Sequence, residues 1–161
     1  MTTPTVYEWA GGQDTFEKLT EVFYAKVLKD DLLGDVFRNM SSEHAKYVAH
    51  FISEVMGGPK LYTEESKRSH AHMISRHLGR KLDETQRQRW VQLVIESADE
   101  IGMPDDPEFR SALVGYLERG SRLAVMNSQT SEPPADQNTP MPKWGWGETG
   151  GPYQPKPKDT E

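Results

Sequence analysis

Three of the five histidines lie close together in the sequence, at His70, His72 and His77. Imidazole binds iron, zinc and copper, so this cluster is a candidate site for a metal ion or a metal-containing cofactor. On one helix, His70 and His77 would share nearly the same face about 10 Å apart along the axis, and His72 would point elsewhere. Side chains so far apart do not readily bind one ion, which argues against a site built from all three.

Zinc is also disfavoured by what accompanies the histidines. A compact zinc site prefers histidines four residues apart, and the chain has neither a His-Glu-x-x-His pattern nor an obvious third ligand. It contains no cysteine, which excludes disulfides, thiolate metal sites and a cysteine nucleophile. Haem needs only one axial imidazole, because the macrocycle supplies four nitrogens. From spacing alone, however, a histidine near a helix end is more often a surface or capping residue than a ligand.

The elements that would position these residues are all predicted to be helical. A first long helix is expected to begin at Asp14, with Glu17 completing a capping box. Its apolar residues recur at helical spacing and predict one buried stripe. That stripe contains Phe16, Leu19, Phe23 and Val27.

Further along, residues 30–40 predict a turn or short helical connector. Ser41 and Ser42 offer caps for a second helix that turns His44 inward, and Gly57-Gly58-Pro59 ends it. Thr63 is expected to cap a third helix that runs through His77 to a stop at Gly79.

Two more helices complete the predicted core. Asp83 and Gln86 are spaced as a capping box and open a helix that carries Trp90. Asp106-Pro107 is typical of an N-cap followed by a first-turn proline, and this last helix extends to about Met126. No segment reads as a strand, so the sequence predicts an all-α fold.

Composition limits the partners and the domain plan. The net charge is −6 and the pI about 5.4, with Lys and Arg scattered among acids, so nucleic acid and anionic membrane are poor partners. No stretch approaches a membrane span and no signal segment is evident, so we expect a cytoplasmic protein. We expect one domain over residues 1–127 and a disordered Pro/Gly-rich tail over 128–161. Aromatic residues in that tail leave a short partner-binding motif as an alternative; they are Trp144, Trp146 and Tyr153.

The order and spacing of several short motifs resemble group II truncated haemoglobins, a compact globin family with a two-over-two helical sandwich. The resemblance covers roughly residues 6–126. The residues that carry it are Tyr7, Gly11-Gly12, Phe23-Tyr24-Ala25, Val36-Phe37, Gly57-Gly58-Pro59, Tyr62, Arg76-His77 and Trp90.

The resemblance implies a haem b cofactor and a role for each matching residue. His77 would be the proximal iron ligand, and Arg76 would pair with a haem propionate. Tyr24 matches the distal tyrosine, and Trp90 the indole donor characteristic of the group. Residues that would line the haem slot are Phe37, Val48, Phe51, Tyr62 and Met73.

Two features depart from the family pattern. His44 stands where we expect a small residue; it could donate to bound oxygen, gate ligand entry or itself coordinate iron, and the sequence leaves these three open. The loop from Lys60 to Arg68 is slightly long, and Leu78-Gly79-Arg80 replaces an apolar, proline-containing run, which predicts an unusual proximal hinge.

The implied function is binding of dioxygen and other diatomic gases such as nitric oxide and carbon monoxide. Two hydrogen-bond donors, Tyr24 and Trp90, would slow the release of bound oxygen. Slow release favours chemical use of the oxygen, for instance the oxidation of nitric oxide to nitrate or peroxidase-like turnover. Such chemistry would need a reductase as partner. A monomer or weak dimer is expected. The alternatives are a non-catalytic oxygen or redox sensor acting through a partner, and a haem-free helical interaction module.

Overall fold

Within residues 2–132 and 138–155, which are those that the computed structural model describes, the chain forms seven α-helices and no strand. The all-α prediction is confirmed. The helices are α1 (Val6–Ala10), α2 (Gln13–Lys29), α3 (Gly34–Phe37), α4 (His44–Val55), α5 (His70–Ser75), α6 (Glu84–Glu100) and α7 (Pro107–Ser128). Two further turns are a π-helical turn at Leu61–Glu65 and a 3₁₀ turn at Gly147–Thr149.

The long helices pack in two pairs. Helix α2 packs against α4 and α6, and α6 packs against α7, so α2 with α4 and α6 with α7 form the two layers of the sandwich. All four residues of the predicted α2 stripe are buried. Each large apolar side chain buried in this way stabilises the fold by about 1.5–3 kcal/mol. None of the helices in the described part is long and apolar enough to cross a bilayer.

Helix starts are where the local sequence signals succeed most clearly. The Asp83 carboxylate accepts a hydrogen bond from the Gln86 backbone N–H at 2.8 Å, and the Asp83 backbone N–H donates to the Gln86 side-chain oxygen at 2.9 Å, so the predicted capping box is confirmed. Asp106 caps α7 with Pro107 in the first turn, also as predicted. A second capping box, between Thr5 and Glu8 at the start of α1, had not been predicted.

The predicted cap at Asp14 is wrong. Helix α2 begins at Gln13, and Gly12 is its N-cap without a side-chain hydrogen bond. Gly11 and Gly12 both have positive φ, 118° and 85°, and turn the chain directly from α1 into α2. Asp14 therefore lies inside the first turn, where its charge still interacts favourably with the helix dipole.

The predicted single helix from Thr63 through His77 is also wrong. The backbone N–H and hydroxyl of Thr63 donate to the Glu54 carboxylate of α4, at 2.9 and 2.8 Å, which ties a π-helical turn onto α4. Lys67 then takes a left-handed φ of 53°, and a new cap at Ser69 starts α5. Helix α5 ends at Ser75, so His77 lies in the turn that follows it.

The tail departs from the predicted disorder in the part that the structure describes. The Trp144 backbone N–H donates to the Val55 carbonyl at 2.9 Å, and its indole N–H donates to the Ala112 carbonyl at 2.8 Å. The Trp146 indole donates to the Pro4 carbonyl at 2.8 Å. Composition missed this because two tryptophans bury large rings and satisfy both indole donors on the helical domain. Residues 133–137 and 156–161, on which the same prediction falls, lie outside the described residues.

Candidate functional site

Two polar side chains meet between α2 and α4. The Tyr24 hydroxyl and the His44 Nε2 lie 3.0 Å apart, within hydrogen-bond distance. Their rings pack edge to face, with centroids 4.9 Å apart and an interplanar angle of 82°. Tyr24 is buried and His44 half-buried, so the inward orientation predicted for His44 is confirmed.

Both members of this pair are neutral near pH 7. Burial raises the pKa of the Tyr24 hydroxyl well above its usual range. The pKa of His44 is lowered to about 4, first by burial and then by the positive charges of Arg76, His77 and Arg80. A neutral imidazole offers one donor and one acceptor nitrogen, so His44 can accept the phenolic proton of Tyr24.

Aromatic rings surround the pair. Phe37 lies 5.6 Å from Tyr24 and 6.0 Å from His44, between ring centroids. On the other side, Phe23 contacts Tyr24 at 4.7 Å and Trp90 at 5.4 Å. Phe23 therefore links Tyr24 to Trp90 of α6. Sequence analysis had placed Phe23 only in the core stripe, although its position next to Tyr24 was a usable signal.

A small apolar cavity of about 10 Å³ lies against Trp90. Its lining consists of Leu19, Thr20, Phe23, Val48, Ile52, Trp90 and Val94. Among the described residues, none accepts a hydrogen bond from the Trp90 indole N–H, and an indole N–H can only donate.

His77 is half-buried in the turn after α5, and two contacts to the end of α7 hold that turn. The backbone N–H of Gly79 donates to the Thr130 carbonyl at 2.8 Å, and that of Lys81 to the Ser128 carbonyl at 2.9 Å. The His77 ring hydrogen-bonds the Met73 carbonyl, which leaves its second nitrogen available. Burial lowers the pKa of His77, so the neutral, ligating form is favoured.

The remaining predicted site residues divide into two places. Val48 lines the cavity with Trp90. Phe51 and Tyr62 form a buried edge-to-face pair, with ring centroids 5.1 Å apart. Met73 is half-buried against the core, and Arg76 is exposed beside His77.

The other histidines turn away from any shared site. His70 Nδ1 lies 3.2 Å from the Pro140 carbonyl of the tail, and His72 contacts Arg68. His50, which sequence analysis did not single out, is buried with Nδ1 3.2 Å from the Ser66 hydroxyl. Among the described residues, no group of three or more His, Asp or Glu side chains could hold a metal ion.

This donor set fits haem. The macrocycle needs a single protein imidazole, and His77 presents one whose other nitrogen is already oriented by a backbone carbonyl. Apolar and aromatic side chains from α2, α3, α4 and α6 pack around Tyr24 and His44, and this is the kind of lining that a porphyrin requires. The guanidinium of Arg76 beside His77 suits a carboxylate.

Comparisons with known proteins point the same way. A family model described as bacterial-like globin matches residues 5–119. A group 2 truncated hemoglobin of Bacillus subtilis is 28% identical over 121 residues, covering 75% of this chain and 89% of that protein. A group 1 truncated hemoglobin of Tetrahymena thermophila is 31% identical over 103 residues, covering 63% and 80% respectively.

Solved structures agree in fold. The group II truncated hemoglobin of Bacillus anthracis superposes with a TM-score of 0.69 at 26% identity, covering 78% of this chain and 93% of that one. The truncated oxygen-avid haemoglobin of Bacillus subtilis gives 0.66 at 30% identity, covering 76% and 99%. The predicted two-over-two sandwich and the resemblance to group II are thus confirmed, and the chain belongs to the bacterial-like globin family, as a truncated haemoglobin.

Proposed function

We propose that this chain binds haem b through His77 and uses it to bind dioxygen and other diatomic gases, including nitric oxide and carbon monoxide. The observation that carries the proposal is the His77 ring, which is half-buried in the turn after α5 and hydrogen-bonds the Met73 backbone. Family membership supports the cofactor and the class of ligand. When bound, the haem iron supplies reversible coordination of the gas.

Each remaining side chain has a role in holding the cofactor. Phe37, Val48 and Phe51 offer apolar contacts to the macrocycle, and Met73 and Tyr62 close the side next to His77. Arg76 offers a charged partner to a propionate, because a guanidinium pairs with a carboxylate through two parallel hydrogen bonds. The exclusion of water by these residues strengthens every polar interaction inside the site.

The ligand side is governed by the Tyr24–His44 hydrogen bond. In the structure each group satisfies the other, so neither is left as an unpaired buried donor or acceptor. An incoming gas ligand competes with His44 for the phenolic proton of Tyr24. The Trp90 indole has no such competitor among the described residues and donates without first breaking a bond.

Hydrogen bonds from both Tyr24 and Trp90 to bound oxygen favour its slow release. A hydrogen bond to a charged acceptor contributes about 1.5–3 kcal/mol, which corresponds to roughly ten- to a hundredfold in a dissociation rate. Slow release suits the chemical use of oxygen better than its delivery, such as oxidation of nitric oxide to nitrate or peroxidase-like turnover. The sensor alternative gains no support here, because Trp144 and Trp146 contact the chain's own helical domain and terminus.

Oxygen dissociation from the ferrous protein tests this proposal. Tyr24→Phe removes the phenolic donor and keeps the ring, so the dissociation rate should rise about tenfold or more. Tyr116→Phe is the matched control, since Tyr116 is a buried tyrosine of α7 that packs on Trp144 outside the site. Rates within twofold of wild type in both variants would contradict the role of Tyr24.

A further inference from the structure

The stretch from Ser66 to Leu82 has an unusual charge composition. It contains five Lys or Arg residues and no Asp or Glu, in a chain whose net charge is −6. The composition of the whole chain does not reveal this local excess of positive charge, because it counts charges over all 161 residues. The five residues, named here the basic patch, are Lys67, Arg68, Arg76, Arg80 and Lys81.

Three members of the basic patch lie around His72 and His77, where the Arg68 guanidinium contacts the His72 ring. In addition to burial, the charges of Arg76 and Arg80 lower the pKa of both His44 and His77. Arg68 and Arg76 likewise act together on His72. The Arg80 side chain donates to the Arg76 carbonyl at 2.6 Å, and Lys67 and Arg68 border one open groove with His72.

Acidic side chains do not neutralise the basic patch. In the described ranges, 2–132 and 138–155, no ion pair includes any of its five residues, whereas arginines elsewhere pair closely, as Arg89 does with Asp30 at 2.8 Å. Arg68 instead stacks over the Tyr47 ring, 3.8 Å from its centroid. Even if the two propionates of a haem each took one cation, three positive charges would remain exposed at the edge of the site.

We infer that the basic patch is the docking surface for the acidic face of a one-electron donor protein. This inference rests on the proposed function, because a globin that oxidises a substrate must have its ferric iron returned to ferrous. In that step the donor loses one electron, the haem iron gains it, and no proton need move. Complementary charge steers such an encounter and raises its association rate, and it requires little apolar contact.

A protein partner fits the surroundings better than a membrane or nucleic acid. None of the large exposed apolar side chains of the described residues lies in the segment 66–82, and the end of α7 that contacts this segment adds only Met126, whereas an inserting surface needs a row of apolar residues. The net negative charge of the chain repels an extended polyanion at long range, whereas a small acidic patch on a protein meets mainly the local positive field.

Binding to an acidic plant-type ferredoxin tests the inference. Calorimetry of the ferric holoprotein with oxidised ferredoxin measures docking without electron transfer. We expect affinity to fall about tenfold from low to physiological ionic strength, and about tenfold or more in K67E/R80E at low salt. Second-order reduction of the ferric protein by reduced ferredoxin should slow by a similar factor.

The control is K18E/K29E, two exposed lysines of α2 whose reversal changes the net charge by the same amount. Its affinity should stay within threefold of wild type. Equal weakening by both double variants, absence of binding at low salt, or patch-dependent binding instead to equimolar phosphatidylserine–phosphatidylcholine vesicles would overturn the inference. Neither Lys67 nor Arg80 is assigned to the haem. The docking prediction can therefore fail while the haem spectrum and oxygen binding, which test the proposed function, remain intact.

Discussion

At the scale of single residues, the proposed ligand chemistry depends on the Tyr24 hydroxyl and His44 Nε2. Their 3.0 Å hydrogen bond joins two neutral groups in a buried setting, where each would otherwise be unsatisfied. The sequence alone left three roles open for His44. We propose a fourth, in which His44 accepts the hydrogen bond that the Tyr24 hydroxyl would otherwise donate to a gas ligand.

His44→Leu tests this competition. The substitution removes the internal acceptor, so the phenolic proton of Tyr24 becomes fully available and oxygen dissociation should slow severalfold. Stopped-flow measurement of the dissociation rate checks it, with His72→Leu as a control outside the pair. Faster dissociation in His44→Leu would show instead that the imidazole itself donates to the ligand.

Sequence could identify most residues of the site but not how they meet. Tyr24, Phe37, His77 and Trp90 were recognisable by type and order. The link through Phe23 and the tautomer-dependent pairing with His44 arise only when α2, α4 and α6 pack together. Sequence could not assign these contacts, because they join residues far apart in the chain.

At the scale of elements, short-range signals predicted two helix starts correctly where neighbours in sequence complete the cap, although the cap predicted at Asp14 is wrong. The capping box at Asp83 and the proline start at Pro107 need only three or four residues, and both were correct. The break between Thr63 and His77 depends on Glu54, which lies on another helix and accepts hydrogen bonds from the loop. Tertiary contacts of this kind override local helix propensity.

One ion pair joins the end of α2 to α6 and makes stability depend on pH. The Asp30 carboxylate pairs with Arg89 at 2.8 Å and accepts from the Leu32 and Leu33 backbone N–H groups at 3.1 Å. Burial alone would raise the pKa of Asp30, but these donors outweigh it and hold the pKa below its usual value. A depressed carboxyl pKa stabilises the fold above the unfolded value, about 3.9, and the effect is lost as pH falls through the folded value.

Asp30→Asn should therefore lower the free energy of unfolding at pH 7 by about 1–2 kcal/mol, since charged hydrogen bonds contribute about that much when partly exposed. The difference from wild type should shrink as the pH falls below about 4. Urea unfolding at both pH values measures it. Asp35→Asn, at an exposed ion pair with Arg38, is the control. A difference in the free energy of unfolding between Asp30→Asn and wild type that does not change with pH would contradict the role given to the Asp30 carboxylate.

At the scale of the whole molecule, the C-terminal segment is a structural part of the domain. Trp144 joins the end of α4 to α7 through two backbone carbonyls, and its ring packs on Tyr116 with centroids 6.0 Å apart. Composition predicted disorder here because Pro, Gly and Ser dominate the segment. Trp144 and Trp146 hold the segment on the helical domain. The average composition of the segment does not reveal the contacts of two single residues.

Trp144→Ala should destabilise the protein by about 2–4 kcal/mol, less than a fully buried tryptophan because the ring is half-buried. Thermal or denaturant unfolding of the full chain measures the loss. Gln154→Ala, at an exposed position of the same segment, should leave stability within about 0.5 kcal/mol of wild type. Equal stability of the two variants would show that the segment contributes nothing to the fold.

Whether His77 holds the haem is measured by absorption spectra of wild type and His77→Ala in the ferric, ferrous and carbon monoxide-bound forms. His70→Ala and His72→Ala serve as matched controls from the same segment. We expect a Soret band that is lost or grossly altered only in His77→Ala. An unchanged spectrum in that variant, or wild-type protein that takes up no haem, would contradict it.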